Sequence, residues 1–206
     1  MSNLQFTPIF RAFSAKTLLL FVLALACLGG CSRTYDWRTV QSEDGAYEAM
    51  FPSKPNRAER TIVALGEKYP MTMEVAKAGN ALFAVSVVKV GKDDKNAEAV
   101  LAWLKEQTRK TLKVVVDVKE DSNLSFDVAN NSKEKLVATG MKISGNGPDD
   151  LPRYFWVRWV KRIDPTGQIK IYQISIIQSL EKKLDEQAVK QLQEEYETFY
   201  AGFHPY

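Results

Sequence analysis

Residues 81–90, with the sequence ALFAVSVVKV, constrain the fold more than any other stretch of the chain. Successive side chains of a strand point to opposite faces, so this segment has two faces to consider. One face carries Phe83, Val85 and Val87, and the other carries Leu82, Ala84 and Val88. A strand that is apolar on both faces is covered on both faces. We therefore expect a central strand, with other elements packed on each side of its sheet.

Alternating segments before and after this strand predict a meander. They lie at residues 35–40, 45–51, 58–65 and 67–78 on one side and at residues 133–144, 152–163 and 167–179 on the other. Asp44 and Gly45 predict a hairpin turn between the first two. Pro165 and Gly167 predict a late turn, because proline presets its φ angle and glycine accepts the left-handed conformation. The polar stretch at residues 113–132 fits neither a strand nor a helix pattern.

Two segments have the three-and-four spacing of a helix that buries one face. The first covers residues 93–112, with Asp94 or Asn96 as its amino-terminal cap. Its predicted buried face consists of Val100, Leu101, Leu104, Thr108 and Leu112. The second covers residues 184–203, with Asp185 as its cap, and we expect its apolar stripe to pack on the core. That stripe consists of Val189, Leu192, Tyr196, Phe199 and Phe203.

Meandering strands with only two helices among them predict an antiparallel sheet with helices on its faces. We expect an α+β fold, with a mainly antiparallel sheet of about six to eight strands and two principal helices packed on it. Residues 35–206 form a single domain in this interpretation. No cysteine follows Cys31, so this domain depends on its apolar core rather than on disulfide bonds.

The segment YEAMFPSKP at residues 47–55 carries a family resemblance. A strand ending in Phe-Pro-small-Lys-Pro, here Phe51 to Pro55, is followed by a meander, a helix, a second meander and a terminal helix. This order resembles the PsbP-like α/β/α sandwich, whose founding members are extrinsic lumenal subunits of photosystem II. The resemblance implies a binding or assembly module that is not an enzyme. No metal or cofactor motif of that family is matched, so it implies no site residues.

The amino-terminal segment has the pattern of a secretory signal. Residues 17–30 contain no charge, and they follow Arg11 and Lys16 without any acidic residue. A short basic leader, an apolar core and small residues at its end are typical of a signal peptide, here residues 1–30. An uncleaved anchor helix is the alternative. It is disfavoured because fourteen helical residues span only about 21 Å, against roughly 30 Å of hydrocarbon.

The end of this signal is more specific than an ordinary cleavage site. Leu28, Gly29, Gly30 and Cys31 match, position by position, the lipobox of bacterial lipoproteins. The resemblance implies that the Cys31 sulfur receives a diacylglycerol, that the preceding peptide is removed, and that the new amino terminus takes a fatty acyl chain such as palmitate. Residues 31–34 are then a short lipidated tether. Because Ser32, and not aspartate, follows the cysteine, the resemblance implies, for a cell with two membranes, an outer membrane location facing the periplasm.

Charge and residue types exclude several functions. Residues 1–30 hold two of the 28 Lys and Arg and none of the 25 Asp and Glu, which leaves 26 basic and 25 acidic residues. A nearly neutral domain lacks the basic surplus that binding nucleic acid requires. His204 is the only histidine and lies near the carboxyl terminus, where we expect fraying. Without a zinc, P-loop or dinucleotide motif, we expect no cofactor and no enzymatic activity.

The segment RYFWVRWVKR at residues 153–162 offers the clearest candidate binding surface. Tyr154, Trp156 and Arg158 share one face of a strand, and these are residue types that dominate binding interfaces. The alternative is that the arginine stem only covers aromatic rings at a sheet edge. Asn146, Asp149 and Asp150 lie in a turn and have oxygen atoms suited to Ca²⁺. The alternative to a Ca²⁺ site is that these residues form the solvated tip of a hairpin, and no metal site is assigned.

Three functions follow as hypotheses. The first is a non-enzymatic, lipid-anchored module that binds an envelope protein or component at the periplasmic face of the outer membrane. The second is a small hydrolase with paired carboxylates, which requires two acids about 5–9 Å apart in a cleft. The third is a carrier of an apolar ligand, which requires a large enclosed apolar cavity. The first is the prediction, and the other two remain alternatives.

Overall fold

The computed structural model describes residues 34–129 and 131–206 of the chain. The predicted signal peptide at residues 1–30 and the lipobox Cys31 lie outside these residues. Residues 34–206 form one compact unit. Within the part of the chain that the structure describes, no helix is long and apolar enough to cross a membrane.

Ten strands and two helices make up the described chain. In order they are β1 (Arg38–Ser42), β2 (Tyr47–Phe51), β3 (Asn56–Ala64), β4 (Glu67–Ala78), β5 (Ala81–Gly91), α1 (Asp94–Arg109), β6 (Val114–Val128), β7 (Asn131–Asn146), β8 (Pro152–Ile163), β9 (Ile169–Ser179), α2 (Glu186–Ala201) and β10 (His204–Pro205). A seven-stranded sheet has the order β3-β4-β5-β9-β8-β7-β6, and its six pairings are antiparallel. A smaller sheet has the order β1-β2-β10. The predicted α+β fold is confirmed.

Strand β5 is central, as its sequence predicts, and both of its faces are covered except at Leu82, which is 42% exposed. It lies between β4 and β9. Phe83, at 0% exposure, belongs to the core under α2, whereas Val88, at 1%, belongs to the core under α1. The two faces of the strand thus serve two separate cores, because adjacent side chains point in opposite directions.

The core under α2 is mainly aromatic. The ring of Phe83 lies 5.3 Å from the rings of both Tyr196 and Phe199 on α2. Phe199 also contacts Phe51 of β2, with 5.5 Å between ring centroids. These mostly edge-to-face pairs connect α2, the seven-stranded sheet and the small sheet. The predicted packing stripe of α2 is confirmed, and its cap is Asp185, whose carboxylate accepts from the Ala188 amide at 2.8 Å.

Helix α1 packs on the opposite face of the sheet, with a cap one residue earlier than predicted. The prediction of Asp94 or Asn96 is wrong, because Asp93 has the extended backbone of a cap and its carboxylate accepts from the Lys95 amide. Asp94 is instead the acidic residue of the first helical turn. The buried residues of the helix are Ala97, Val100, Leu104 and Thr108. Of the other predicted residues, Leu101 is partly buried and Leu112 is buried beyond the helix end.

The unassigned stretch at residues 113–132 contains β6, a strand of 15 residues. It forms one edge of the seven-stranded sheet and buries only Phe126 and Val128. An edge strand with both faces exposed needs no apolar alternation, so its sequence lacks the usual strand signal. Its pairing with β7 also shifts register between Asp121 and Leu124.

The carboxyl terminus is ordered by pairing, so the expectation of fraying at His204 is wrong. β10 pairs with β2, and the Tyr206 amide donates to the Ala46 carbonyl at 2.9 Å. The Pro205 carbonyl accepts from the Ala129 amide at 3.0 Å. His204 Nδ1 lies 3.2 Å from the carbonyl oxygen of Asp127. These bonds hold the last residues between the small sheet and the end of β6.

Candidate functional site

A partly open cavity of about 360 Å³ lies between α2 and strands β6, β7 and β8. Its helix side consists of Gln193, Tyr196, Glu197 and Tyr200, whose spacing of three and four places them on one face of α2. Its sheet side includes Lys119, Glu120, Asp121, Leu124, Gly140, Lys142, Trp156 and Arg158. The volume is that of a site for a small molecule or for a single side chain. We call this space the α2 cavity.

A glycine and a β-bulge shape the sheet side of the α2 cavity. Gly140 of β7 lies opposite Arg158 on β8 and Asp121 on β6. A Cβ atom at Gly140 would lie 2.6 Å from Leu124 Cδ1, which is too close for a real contact. The extra residue between Asp121 and Leu124 bends the edge strand at this level. Small size at position 140 therefore allows Leu124 to fold over the sheet.

Trp156 forms an aromatic wall of the cavity and is not an open surface residue. It is 4% exposed, and its ring packs 5.4 Å from Tyr196 in an edge-to-face arrangement. Tyr154 stacks on Trp156 at 5.7 Å, and its hydroxyl donates to the Leu184 carbonyl at 3.4 Å. Tyr154 lines a separate, smaller cavity beside Arg153. Of the three residues predicted from the sequence, the α2 cavity thus brings together Trp156 and Arg158 only.

Arg158 is held flat against the helix by two neighbours. Its guanidinium carbon lies 3.9 Å from the centre of the Tyr200 ring, a cation–π contact. Its Nη2 donates to Glu197 Oε1 at 2.6 Å, a charge-assisted hydrogen bond. The arginine side chain is 18% exposed, so the cation is largely removed from water but still reaches the cavity. The charged group itself, and not the arginine stem, therefore makes the contact with the ring.

The hydroxyl group of Tyr200 is buried without a hydrogen-bond partner among the described residues. The residue is 3% exposed, and burial raises the pKa of its hydroxyl above the ordinary value. The group is therefore a neutral hydrogen-bond donor at physiological pH. A buried polar group that makes no hydrogen bond costs about 1–3 kcal/mol of stability.

The helix residues of the cavity are the ones that sequence reasoning missed. The predicted stripe on α2 included Tyr196 but not Glu197 or Tyr200, because that stripe was defined by packing. Glu197 and Tyr200 lie beside it on the helix, and their sequence signal is a polar residue and an aromatic residue three positions apart. Only the position of α2 over β8 shows that they face Arg158.

The acidic turn considered for Ca²⁺ is occupied by ion pairs. Asp149 Oδ2 accepts from Arg153 Nη2 at 2.7 Å, and Asp150 Oδ1 accepts from Lys113 Nζ at 2.7 Å. Residues 34–129 and 131–206 contain no group of three or more His, Cys, Asp or Glu side chains placed to hold a metal ion. The two carboxylates therefore fasten this turn to β8 and to the start of β6.

Comparison with known proteins adds no assignment to these residues. No family model matches the chain, and no curated protein matches it. The role of the α2 cavity is therefore argued from its own geometry.

Two tyrosine variants are expected to differ in their effect on stability. Tyr200→Phe removes a hydroxyl that has no partner, so the free energy of unfolding should stay unchanged or rise by up to about 1 kcal/mol. Tyr47→Phe removes the donor that bonds Glu74 Oε2 at 2.8 Å, where both residues are buried. That change should lower the free energy of unfolding by about 1–3 kcal/mol. Urea denaturation of both variants measures the difference, and equal losses would show that the Tyr200 hydroxyl has a partner.

Proposed function

We propose that this protein is a lipid-anchored binding or assembly module of the bacterial envelope and not an enzyme. Acylated Cys31 holds it at the outer membrane, where the domain faces the periplasm. The α2 cavity is the site at which it binds an envelope protein or component. The PsbP-like resemblance of residues 35–206 supports the same kind of role.

The observation that carries the binding role is the largely desolvated guanidinium of Arg158 in the α2 cavity. One of its nitrogens is bonded to Glu197, and its carbon lies over the Tyr200 ring. It lines a partly open space together with Trp156 and Tyr196. Rigid aromatic residues and arginine dominate binding energy where they are desolvated. This arrangement suits a partner group that accepts hydrogen bonds.

The cavity lining supports binding more than it supports the two alternatives. A two-acid hydrolase needs carboxylates that are available to a substrate, whereas Glu197 pairs with Arg158 and Glu120 pairs with Arg109. An apolar carrier needs an enclosed apolar space. The α2 cavity is partly open, and ionisable side chains form much of its lining. Neither alternative is favoured by a specific contact.

Photo-crosslinking in living cells tests the binding site. A photoreactive amino acid at Gln193, on the cavity lining, should give a discrete adduct, and the same amino acid at Gln187 should not. Gln187 is exposed on the same helix and does not line the cavity. Adding Arg158→Gln to the Gln193 variant should reduce the adduct at least tenfold, because a desolvated charged contact is worth more than 1.4 kcal/mol. Equal adducts from both positions, or an adduct unaffected by Arg158→Gln, would contradict the proposed site.

A further inference from the structure

The proposed anchor residue, Cys31, precedes the described domain by only a few residues. The first described residue is Thr34, and three residues of fully extended chain reach at most about 11 Å. Thr34 lies beside the turn between β4 and β5, since its Cγ2 is 3.7 Å from the Cβ position of Gly79. This end of the seven-stranded sheet is therefore the end at which the tether begins. We call it the tether end.

The sheet ladder brings other segments to the tether end. The Ser179 amide donates to the Asn80 carbonyl at 3.1 Å, which places the end of β9 beside the same turn. The Leu180 amide donates to the Pro152 carbonyl at 3.0 Å. Asn146 of β7 pairs with both Pro152 and Val114, so the first residues of β6 lie at this end too.

Exposed aliphatic side chains are present on the tether end. Val116 is 63% exposed, and Val114, Val115 and Leu151 are between 42% and 47% exposed. The valines begin an edge strand, and Leu151 follows the turn that Asp149 and Asp150 fasten. Nothing in the core of the domain requires these side chains to be apolar.

Four exposed lysines lie along the same end of the sheet. Lys54, Lys77, Lys182 and Lys183 are exposed and form no ion pair with any residue of the described ranges. Lys54 and Lys77 lie together, because Ser53 Oγ donates to the Lys77 carbonyl at 3.0 Å. Lys182 and Lys183 follow the end of β9, and Lys183 reaches a small cavity beside Val116 and Arg153. The other cations of this end, Lys113 and Arg153, are paired with carboxylates.

We propose that the tether end is a membrane-facing surface that binds anionic phospholipid. Val114, Val115, Val116 and Leu151 enter the headgroup region, and the four lysines bind lipid phosphates. Apolar side chains bordered by lysines are the residues that bind an interface without spanning it. This inference rests on the proposed anchor, which brings the surface to the bilayer.

Docking in this orientation holds the α2 cavity away from the bilayer. Gly140 lies six residues along β7 from Asn146, which corresponds to about 20 Å of strand. The acyl chains alone leave the domain free to tilt about its tether. Binding of the lysines and valines to the bilayer fixes the orientation of the domain. The α2 cavity then faces the periplasm at a fixed distance from the bilayer surface.

Lipid-attached quenchers test the orientation in the acylated mature protein. A fluorophore is placed on Leu151→Cys or, as the matched control, on Ile163→Cys, which lies at the other end of β8 and is 56% exposed. The vesicles contain phosphatidylcholine, with or without phosphatidylglycerol, and headgroup nitroxides. We expect strong quenching at Leu151 and little at Ile163 with phosphatidylglycerol present. Each lysine should raise the ratio of docked to undocked protein, which the quenching at Leu151 reports, by about fivefold.

A fourfold variant separates the two proposals. Changing Lys54, Lys77, Lys182 and Lys183 to Gln should lower that ratio roughly 600-fold, whereas the protein should still float with the vesicles. Equal quenching at Leu151 and Ile163 in a protein that floats overturns the membrane-facing surface and leaves the anchor intact. The membrane-facing surface is also overturned if quenching at Leu151 is the same with and without phosphatidylglycerol and is unchanged in the fourfold lysine variant. A mature protein that does not float contradicts the anchor itself.

Discussion

A full-length Cys31→Ser variant is expected to lose its fatty acyl groups completely and to disappear from the outer membrane fraction. The lipobox match of residues 28–31 requires a thiol as the acceptor of diacylglycerol, and a serine hydroxyl is not acylated in its place. Each methylene group buried in a bilayer contributes about 0.8 kcal/mol, so two or three acyl chains anchor firmly. If the proposed anchor is correct, losing these chains removes the attachment as a whole rather than weakening it.

Cys27→Ser is the matched control for this experiment. Cys27 is the only other cysteine and lies within the charge-free run at residues 17–30. If that run is a removed signal peptide, Cys27→Ser should leave the mature protein unchanged. Intact mass spectrometry gives the amino terminus and the acyl mass, and density fractionation gives the membrane. An amino terminus elsewhere than Cys31, an unacylated Cys31, or a Cys31→Ser protein that remains in the outer membrane would contradict the anchor.

Strands and helices that face a core could be predicted from this sequence. Burial of one face makes apolar residues recur every second position in a strand and every third or fourth position in a helix. Strand β5 shows the effect most clearly, since each of its faces packs under a different helix. The stripe on α2 could be predicted for the same reason. Strand β6 could not, because it buries only its last residues and its exposed part is free to be polar. The cap of α1 was misplaced by one residue, since Asp93 and Asp94 are chemically identical and only the backbone distinguishes them.

The site was only partly predictable from the sequence. Trp156 and Arg158 share a face in any strand, so their proximity followed from alternation alone. Their burial under α2 did not follow, because it depends on contacts between residues far apart in the chain. Tyr200 is 42 residues beyond Arg158, and no local pattern links them. The predicted binding surface is therefore part of a cavity to which the helix adds Gln193, Tyr196, Glu197 and Tyr200.

Strong loss of stability in alkali is expected from the tyrosines of the aromatic core. Tyr47, Tyr172, Tyr196 and Tyr200 are each at most 3% exposed. Burial is the main cause that raises the pKa of all four hydroxyls, and for Tyr47 the nearby Glu74 carboxylate raises it further. In the unfolded chain each ionises near its ordinary pKa of about 10. Ionisation therefore favours unfolding.

The sign and size of this effect follow from proton linkage. Between the unfolded and the folded pKa, the unfolded chain binds fewer protons, so the free energy of unfolding falls as pH rises. Stability from these groups is fully present below about pH 10 and is lost above it. One tyrosine lowers the free energy by about 1.4 kcal/mol per pH unit, and four lower it by about 5 kcal/mol per unit. A domain of ordinary stability, about 5–15 kcal/mol, should unfold within a few pH units above pH 10.

Tyrosinate absorbance and far-ultraviolet circular dichroism, recorded on the same alkaline titration, measure this effect. The buried tyrosines should ionise in one cooperative step that coincides with the loss of sheet structure, because their hydroxyls reach water only when the core opens. Tyr200→Phe should reduce the pH slope of the unfolding free energy by about a quarter, since one of four linked groups is removed. A gradual titration near pH 10 with the sheet intact would show that these hydroxyls are accessible in the folded protein.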